Sequence, residues 1–226
     1  MKIRWICFNA VLAILFSTGL LFAGDTNAWY VGTDAGVNFQ RGVLTSYSPN
    51  QYFPAAETKF HPGERFDLKL GYNLRSWLAV ELDAGLAHNG VSSYRGNSVT
   101  DVDFFQFPLM ANLILSRQVW RNFSVYGGAG AGGIVGRWDG LAQVRYNFNT
   151  GGILFDTGQA GGDIDCVPGF QALGGIKYAI GDHWDLRLGY KFLSTTEGND
   201  WTISGREVRT DVAVSQSVFA ALTYKF

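Results

Sequence analysis

Apolar and polar residues alternate with a period of two in eight stretches of the chain. The final stretch is the clearest, because Val218, Ala220, Leu222, Tyr224 and Phe226 are apolar or aromatic and the residues between them are mixed. The other seven cover residues 29–39, 66–73, 78–86, 105–115, 123–134, 169–180 and 185–192. Successive side chains of a strand point to opposite faces. The pattern therefore predicts eight strands, each with one apolar and one mixed face.

The connections between these stretches alternate in length. Residues 40–65, 87–103, 134–168 and 194–208 form long, polar or glycine-rich connections, whereas residues 73–77, 116–122 and 181–184 form short ones. A β-sandwich also has alternating strands, but it does not require this asymmetry. We predict an all-β fold, an eight-stranded antiparallel up-and-down transmembrane β-barrel with long extracellular loops and short periplasmic turns. Within the longest connection, residues 141–148 and 152–156 indicate an extracellular hairpin.

Aromatic residues cluster at the ends of the predicted strands. One girdle is predicted at the level of the short turns, on the periplasmic side. Its members are Trp29, Tyr72, Trp77, Trp120, Tyr178 and Trp184, joined by Tyr224 and Phe226 at the end of the last strand. A second girdle, at the outer interface, consists of Phe39, Phe66, Phe105, Phe107 and Phe192.

The first 28 residues have the pattern of a secretory signal peptide. Lys2 and Arg4 precede an uncharged apolar run over residues 11–23, which is the order of a signal sequence. Cleavage is predicted after Ala28, with Ala23 as the alternative. The run contains Ser17, Thr18 and Gly19, which makes it a poor membrane-spanning helix. Residues 29–226 then form the β-barrel domain.

Composition excludes some partners. The whole chain has 18 Lys and Arg against 19 Asp and Glu, and the predicted signal peptide contains two basic residues and one acidic residue. The remaining net charge of −2 gives no argument for nucleic acid as a partner. Cys166 is the single cysteine beyond the signal peptide, so an intrachain disulfide is not expected.

The mixed faces of the strands carry charges of both signs. The predicted lumen polar network consists of Asp34, Asp67, Lys69, Glu81, Asp83, Lys177, Asp185, Arg187 and Lys191, with Lys225 added at the end of the chain. If the turns are tight, Lys69 lies opposite Glu81 and Lys177 lies opposite Asp185. Asp67 then faces Asp83, which is repulsive unless a cation from another strand reaches between them. Eight strands leave a lumen that side chains fill, so we expect a packed polar plug.

Candidate catalytic residues are few. His88 has Ser92, Ser93 and Asp101 nearby in sequence, but no spacing of nucleophile, base and orienting acid is visible. His61 is interpreted as part of a turn, and Gly128, Gly130 and Gly132 as glycines that make room for opposing side chains. Pro108 removes one ladder hydrogen bond and suggests a bulge. No catalysis, cofactor or metal ion is expected.

Several segments together resemble a known group of proteins. They are Trp29–Gly36, Phe66–Tyr72, Trp77–Leu82, Gln106–Leu109, Tyr126–Gly133 and Gln171–Tyr178. These residues resemble the small eight-stranded barrels of the OmpA-like and opacity-related surface antigen type. The resemblance implies that Leu222, Tyr224 and Phe226 form a signal for the barrel-assembly machinery. No periplasmic domain follows the barrel, so cell-wall anchoring is not expected.

The expected function is that of an outer-membrane surface protein with a structural or recognition role, of the adhesion type. The connections 40–65 and 134–168 are rich in Tyr, Asn, Ser and Gly, and loops on a rigid barrel suit an external ligand. The first alternative is a narrow conduit for ions or small apolar molecules, and the second is a lipid A-modifying enzyme at the outer rim. We expect a monomer in the outer membrane of a Gram-negative-type bacterium, with outer-membrane lipids and the assembly machinery as partners.

Overall fold

The strands follow one another along the chain without helices in the described residues. The computed structural model describes residues 29–48, 55–99, 101–139, 143–147, 152–156, 164–203 and 206–226. The predicted signal peptide lies outside these residues. The described strands are β1 (Trp29–Gln40), β2 (Val43–Ser48), β3 (Ala56–Phe60), β4 (Gly63–Arg75), β5 (Leu78–Tyr94), β6 (Asn97–Ser98), β7 (Asp103–Trp120), β8 (Phe123–Asp139), β9 (Gln143–Asn147), β10 (Gly152–Asp156), β11 (Asp165–Ile180), β12 (Trp184–Thr195), β13 (Asp200–Ile203), β14 (Arg206–Thr210) and β15 (Val214–Lys225). No helix in this part of the chain is long and apolar enough to cross a membrane.

Eight strands close into a ring. Their order is β5, β4, β1, β15, β12, β11, β8 and β7, and β7 pairs back with β5. Every neighbouring pair in the ring is antiparallel. The last strand closes against the first, with Tyr30 opposite Lys225 and Gln40 opposite Ser215. The predicted eight-stranded barrel is confirmed, and its closure leaves no open sheet edge toward lipid.

The outer wall of the barrel is apolar and the inner wall is largely polar. On β15, Val218 and Leu222 point outward and are 58% and 43% exposed, whereas Phe219 and Ala221 point inward and are 4% and 3% exposed. The same alternation holds along β1, β4, β5, β7, β11 and β12. Exposed apolar side chains on the outside are what a lipid solvent requires, and polar residues can then occupy the interior.

The barrel continues into a sheet on the extracellular side. Strands β13, β14, β2, β3 and β5 pair in this order, and β6 adds to β5. The connections 40–65, 87–103 and 194–208 are therefore not plain loops, as their polar composition suggested, but contain strands. A strand that lies above the membrane has no lipid-facing side, so it needs no continuous apolar face. The predicted hairpin in the longest connection is confirmed as the pair β9 and β10, a separate two-stranded sheet.

A buried aromatic cluster lies where this sheet meets the barrel. It is formed by Val91, Tyr94, Val99, Val102, Phe104, Trp138 and Trp201, with Ala56 and Phe60 packed against it. Trp201 enters from β13 and donates a hydrogen bond from Nε1 to the carbonyl of Gly136, at 3.1 Å. The ring of Trp138 lies 4.6 Å from that of Phe104. This aromatic cluster therefore joins the extracellular sheet to the upper ends of the barrel strands β7 and β8.

Short turns join the strands at the opposite end, and aromatic rings surround it. Trp29 lies 4.9 Å from Tyr72, and Trp184 lies 4.9 Å from Tyr224, measured between ring centroids. Phe123 bridges this level, because its ring lies 4.8 Å from Tyr178 and 6.1 Å from Trp120. Trp77 is also here and is 53% exposed. The residues of the predicted periplasmic girdle thus lie at one end of the barrel, on its outer surface.

Pro108 does not produce a bulge, so that expectation is wrong. Ala84 pairs with Leu109 and Ala87 pairs with Gln106, which is the same register on both sides of the proline. A Cβ atom on Gly85 would lie 2.9 Å from Cγ of Pro108. The missing side chain of Gly85 therefore makes room for the proline ring, and the ladder continues without an extra residue.

Candidate functional site

Lys191 crosses the lumen and binds carboxylates from three strands. Its Nζ lies 2.7 Å from Asp67 Oδ2 on β4, 2.6 Å from Asp83 Oδ2 on β5 and 3.5 Å from Asp34 Oδ2 on β1. All four side chains are at most 2% exposed. The strand that carries Lys191, β12, lies opposite β5 in the ring, with three strands between them on either side. The amine of Lys191 is therefore the cation from another strand that was expected to lie between Asp67 and Asp83.

A second ion cluster lies on the periplasmic side of Lys191. Glu81 Oε2 accepts hydrogen bonds from Arg187 Nη1 at 3.1 Å and from the Tyr30 hydroxyl at 3.0 Å. Arg187 lies on β12, so this pair also joins opposite strands of the ring. Its guanidinium carbon lies 5.2 Å from the ring of Tyr30 and 5.6 Å from the ring of Tyr126. The two tyrosines hold the guanidinium between their rings.

Two further cations complete the charge balance of the central lumen. Lys69 Nζ lies 2.5 Å from Asp34 Oδ1 and 3.8 Å from Glu81 Oε1. Arg65 Nε lies 2.8 Å from Asp67 Oδ2. Four carboxylates, Asp34, Asp67, Glu81 and Asp83, are therefore matched by four cations, Arg65, Lys69, Arg187 and Lys191. Buried charges are tolerated when they are paired and hydrogen-bonded in this way.

The periplasmic mouth has a smaller group of charges. Asp185 accepts a hydrogen bond from Lys225 Nζ at 3.1 Å and lies 3.8 Å from Lys177 Nζ. The side chains of Lys225 and Lys177 are 20% and 25% exposed, whereas that of Asp185 is 3% exposed. At this end of the lumen, two partly exposed amines therefore bind one buried carboxylate.

A polar layer lies between the ion network and the aromatic cluster. Arg65, Ala87, Gln106 and Gly136 are neighbours in one row across β4, β5, β7 and β8. Both terminal nitrogens of Arg65 and the Oε1 atom of Gln106 are buried and have no hydrogen-bond partner among the described residues. Ala87 and Gly136, the other two residues of the row, carry no polar side chain of their own. These donors and this acceptor are available to water or to a small polar solute.

His88 lies on the outer wall, above the apolar band of the barrel. The outward residues of β5 are apolar up to Leu86, and His88 is the next outward position. Its Nδ1 lies 2.7 Å from Glu64 Oε1 and its Nε2 lies 2.9 Å from Asp103 Oδ1. Partial burial alone would lower the pKa of His88, but the hydrogen bonds to Asp103 and Glu64 outweigh it and raise this pKa above its ordinary value. Phe105 stacks on the imidazole at 4.6 Å.

The comparison with protein families agrees with this architecture. The family model described as "Outer membrane protein beta-barrel domain" matches residues 8–226. The chain belongs to this family. It is an outer-membrane β-barrel protein, and membership implies the outer membrane of a Gram-negative bacterium.

Solved structures share the fold at low sequence identity. Neisserial surface protein A is 18% identical over 88% of this chain and 97% of its own, with a TM-score of 0.54. OprG from Pseudomonas aeruginosa is 14% identical over 90% and 98%, with a TM-score of 0.60. AlkL, determined in DMPC bilayers, is 16% identical over 92% and 94%, with a TM-score of 0.56. The likeness shows the fold alone. No curated protein matches the chain.

The predicted strand pairing of the outer-membrane barrel is wrong by two residues. Lys69 pairs with Asp83 rather than with Glu81, and Asp67 pairs with Gly85 rather than with Asp83. Likewise Lys177 pairs with Arg187, and Asp185 pairs with Ala179. The turns are centred later than assumed, since Arg75 pairs with Leu78 and Ile180 pairs with Trp184. Long side chains still bring the expected charges together, because Lys69 and Lys177 each lie 3.8 Å from the predicted carboxylate.

Sequence reasoning missed several residues of the lumen. Arg65 was assigned to a loop, although the alternation of Arg65, Asp67 and Lys69 places all three on one face. Gln171 Nε2 donates to Asn112 Oδ1 at 2.6 Å and to Asp83 Oδ2 at 3.4 Å. Asn38 Nδ2 donates to Asn89 Oδ1 at 2.6 Å, while Ser217 donates to Asn38 Oδ1 at 2.7 Å. Apart from Arg65, these residues could have been recognised in the sequence as amide or hydroxyl side chains at inward positions of the strands. The predicted lumen network lacks Arg65, Asn38, Asn89, Asn112 and Gln171, whereas Ser217 lies on the lumen face of the last strand, as the alternation there predicts.

The residues considered for catalysis are not brought together. Both ring nitrogens of His88 bind carboxylates, and neither binds a serine. Asp83 points into the lumen and binds Lys191, on the other face of the strand that carries His88. Gly128, Gly130 and Gly132 lie against Ile114, Asn112 and Leu109, where a Cβ atom would collide. In the described residues, no group of three or more His, Cys, Asp and Glu side chains is arranged to hold a metal ion.

Proposed function

We propose that this outer-membrane barrel serves as a surface protein with a structural or recognition role, in which the extracellular strands present the contact surface. The observation that carries the proposal is the combination of an ion-paired lumen with a sheet that extends beyond the membrane. The rigid barrel holds the extracellular strands, and function is commonly found in the segments that such a scaffold positions.

The ion pairs of the lumen argue against an open pore as the main role. Lys191 and Arg187 both reach from β12 to carboxylates on β5, at 2.6 and 3.1 Å. A solute that passes this level has to displace buried, paired charges, and breaking such a pair costs about 3–5 kcal/mol. The central lumen therefore resists the passage of a solute, and the exposed surface carries the contact with the environment.

The extracellular strands offer two separable surfaces. The sheet of β13, β14, β2 and β3 is attached to β5 and packs on the aromatic cluster through Trp201. The hairpin of β9 and β10 pairs only with itself among the described strands. Removal of the hairpin therefore changes one surface and leaves the barrel and the other sheet in place.

The experiment compares cells that express the wild-type protein, a variant that lacks residues 143–156, and no protein. Adhesion to matrix-coated plates and epithelial monolayers is measured, together with survival in detergent. Heat-modifiable gel migration verifies that both barrels are folded. Increased adhesion that the deletion lowers supports recognition, and increased detergent survival that the deletion preserves supports a structural role. Wild-type cells that match the cells without protein in both assays contradict the proposal.

The polar layer around Arg65 favours a narrow conduit as the second candidate. The guanidinium nitrogens of Arg65 and the side-chain carbonyl of Gln106, which have no partner in the part of the chain that the structure describes, suit a hydrated upper lumen. This role requires that Lys191 leaves its carboxylates. Planar-bilayer recordings with the purified wild type and Lys191→Ser distinguish the two functions. Stable conductance of the wild type supports the conduit, whereas conductance only in the variant supports a lumen closed by Lys191.

The proposal includes the absence of catalysis at the outer rim. It rests on the pairing of His88 with Glu64 and Asp103 rather than with a nucleophile. Mass spectrometry of lipid A from cells with and without the protein tests this point. A mass change that depends on the protein and is lost in His88→Ala establishes the enzyme instead.

A further inference from the structure

A groove opens on the lipid-facing wall near the periplasmic turns. It has a volume of about 520 Å³, and Trp77, Leu115, Arg117, Val125 and Gly127 line it. Leu115 and Gly127 are register partners, as are Arg117 and Val125. The groove therefore runs along the outer face of β7 and β8, with Arg117 at its periplasmic end and apolar residues toward the membrane interior.

Glycines create the depth of this groove. Gly127 points outward, and a Cβ atom there would have only the carbonyl of Leu173 nearby, at 3.7 Å. Its neighbour across the ladder is Gly174, which also points outward. A position that has room for a side chain but carries none leaves space on the barrel wall. The close approach of another molecule is one reason for glycine within a strand.

A second, apolar groove lies beside the first. It has a volume of about 270 Å³ and is lined by Phe123, Ile176, Tyr178, Leu186 and Leu188. Val125 borders the first groove and Ile176 borders the second, and these two residues are register partners. They lie side by side between the two grooves, so two recesses adjoin on this part of the outer wall.

Three arginines lie in the chain segments that form or adjoin the periplasmic end of the first groove, and Arg117 is the one that lines it. They are Arg75, Arg117 and Arg121, and none forms an ion pair with a described residue. The segments 73–80 and 113–127 that contain them have no acidic residue. The remaining periplasmic turn is different, because it contains Asp182. Positive charge is therefore concentrated on the side of the barrel where the groove lies.

We propose that this groove binds an anionic phospholipid of the periplasmic leaflet. The phosphate binds Arg117, with Arg75 and Arg121 adding attraction for a net negative headgroup. One acyl chain lies in the space over Gly127, and the other lies across Val125 and Ile176. Trp77 and Trp120 lie at the same level, where tryptophan anchors a membrane protein at the headgroups.

Native mass spectrometry of the full barrel in detergent micelles tests the proposal, with phosphatidylglycerol and phosphatidylcholine of identical acyl chains as probes. The wild type is expected to retain phosphatidylglycerol in preference. Arg117→Gln and Arg121→Gln each weaken phosphatidylglycerol binding about fivefold, the effect of one basic residue near a membrane surface. Gly127→Leu fills the groove, so it lowers retention of both lipids. Arg41→Gln removes the same charge at the exposed extracellular end and leaves retention unchanged.

Two results would overturn the inference. The first is equal retention of the two lipids by the wild type. The arginines would then contact another partner, such as a periplasmic protein. The second is equal loss of phosphatidylglycerol in Arg117→Gln and Arg41→Gln, which indicates a general effect of charge. Heat-modifiable migration is recorded for every variant. A folded barrel is expected in each case, because position 127 faces outward and a Cβ atom added there has no neighbour closer than 3.7 Å.

Discussion

Lys191 and Asp83 lie on opposite strands of the ring, and their side chains meet across the lumen, with Nζ 2.6 Å from Oδ2. The same amine binds Asp67 at 2.7 Å. These two contacts join strands that share no backbone hydrogen bonds. The lumen is thus held together from within, in addition to the closed ladder of its wall.

We expect Lys191→Met to lower the free energy of unfolding by about 3–5 kcal/mol, because it leaves the buried carboxylate of Asp83 without its cation and removes one of the two cations that bind Asp67. Urea unfolding in lipid vesicles, followed by tryptophan fluorescence, measures the change. Lys177→Met is the matched control. Lys177 is partly exposed, and Asp185 keeps Lys225 as its partner, so the control loses about 1 kcal/mol or less. An equal decrease in the free energy of unfolding in the two variants would show that the buried ion pairs of Lys191 contribute no more than the exposed one of Lys177.

Trp201→Ala is expected to detach β13 and β14 from the barrel. The indole is 2% exposed and contacts Trp138 and Phe104 in the aromatic cluster. Loss of a buried tryptophan costs about 3–5 kcal/mol. We expect this cost to destabilise the extracellular sheet and not the barrel. Limited proteolysis should cut near residues 200–210 in the variant, while heat-modifiable migration stays that of a folded barrel. Trp201→Phe keeps the ring and should be cut more slowly; a wild-type cleavage pattern for Trp201→Ala would be inconsistent with this role.

The pH dependence of stability should carry a contribution from His88. Its folded-state pKa is raised above the ordinary value of about 6.5. The contribution of protonated His88 to the free energy of unfolding is therefore fully present below its unfolded-state pKa, and it is lost as the pH rises through its folded-state pKa. NMR titration of the imidazole should report a pKa above that of an exposed histidine.

Removal of the two carboxylates provides the control for His88. Glu64→Gln together with Asp103→Asn should lower the pKa of His88, because the hydrogen bonds that raise it come from these residues. The pH dependence of the unfolding free energy should decrease with it. A wild-type pKa at or below the ordinary value argues against the carboxylate contacts.

Deletion of Phe226 should impair assembly more than stability. Its backbone nitrogen donates to the Trp29 carbonyl at 3.1 Å, but its side chain is 58% exposed. The folded barrel should lose less than about 1 kcal/mol, whereas membrane insertion in cells should slow. Pulse-labelling followed by heat-modifiable migration measures the rate. Phe226→Tyr keeps a terminal aromatic residue and serves as the control; insertion of the deletion variant at the wild-type rate would refute the assembly signal.

The eight barrel strands and their faces follow from the sequence alone. A strand between lipid and a polar interior has to alternate, so Val218 and Leu222 on one side and Ser217 and Thr223 on the other are predicted from their order. The closing pair of β1 and β15 also follows, because every edge in the membrane has to be paired. The extracellular strands cannot be predicted in the same way. Water can contact either face of a strand above the membrane, so no alternation of apolar and polar residues marks such a strand.

The order of residues along the chain is enough to predict the barrel, its closure and the inward position of the charged residues, because lipid imposes a period of two on every membrane strand. The partners of those charges are visible only in the folded barrel. Pairing along the ladder depends on where each turn is centred, and an error of two residues changes every neighbour. Contacts across the lumen, such as that of Lys191 with Asp83, join strands that are distant in the chain. They depend on the size of the ring and the reach of long side chains, which no local pattern encodes.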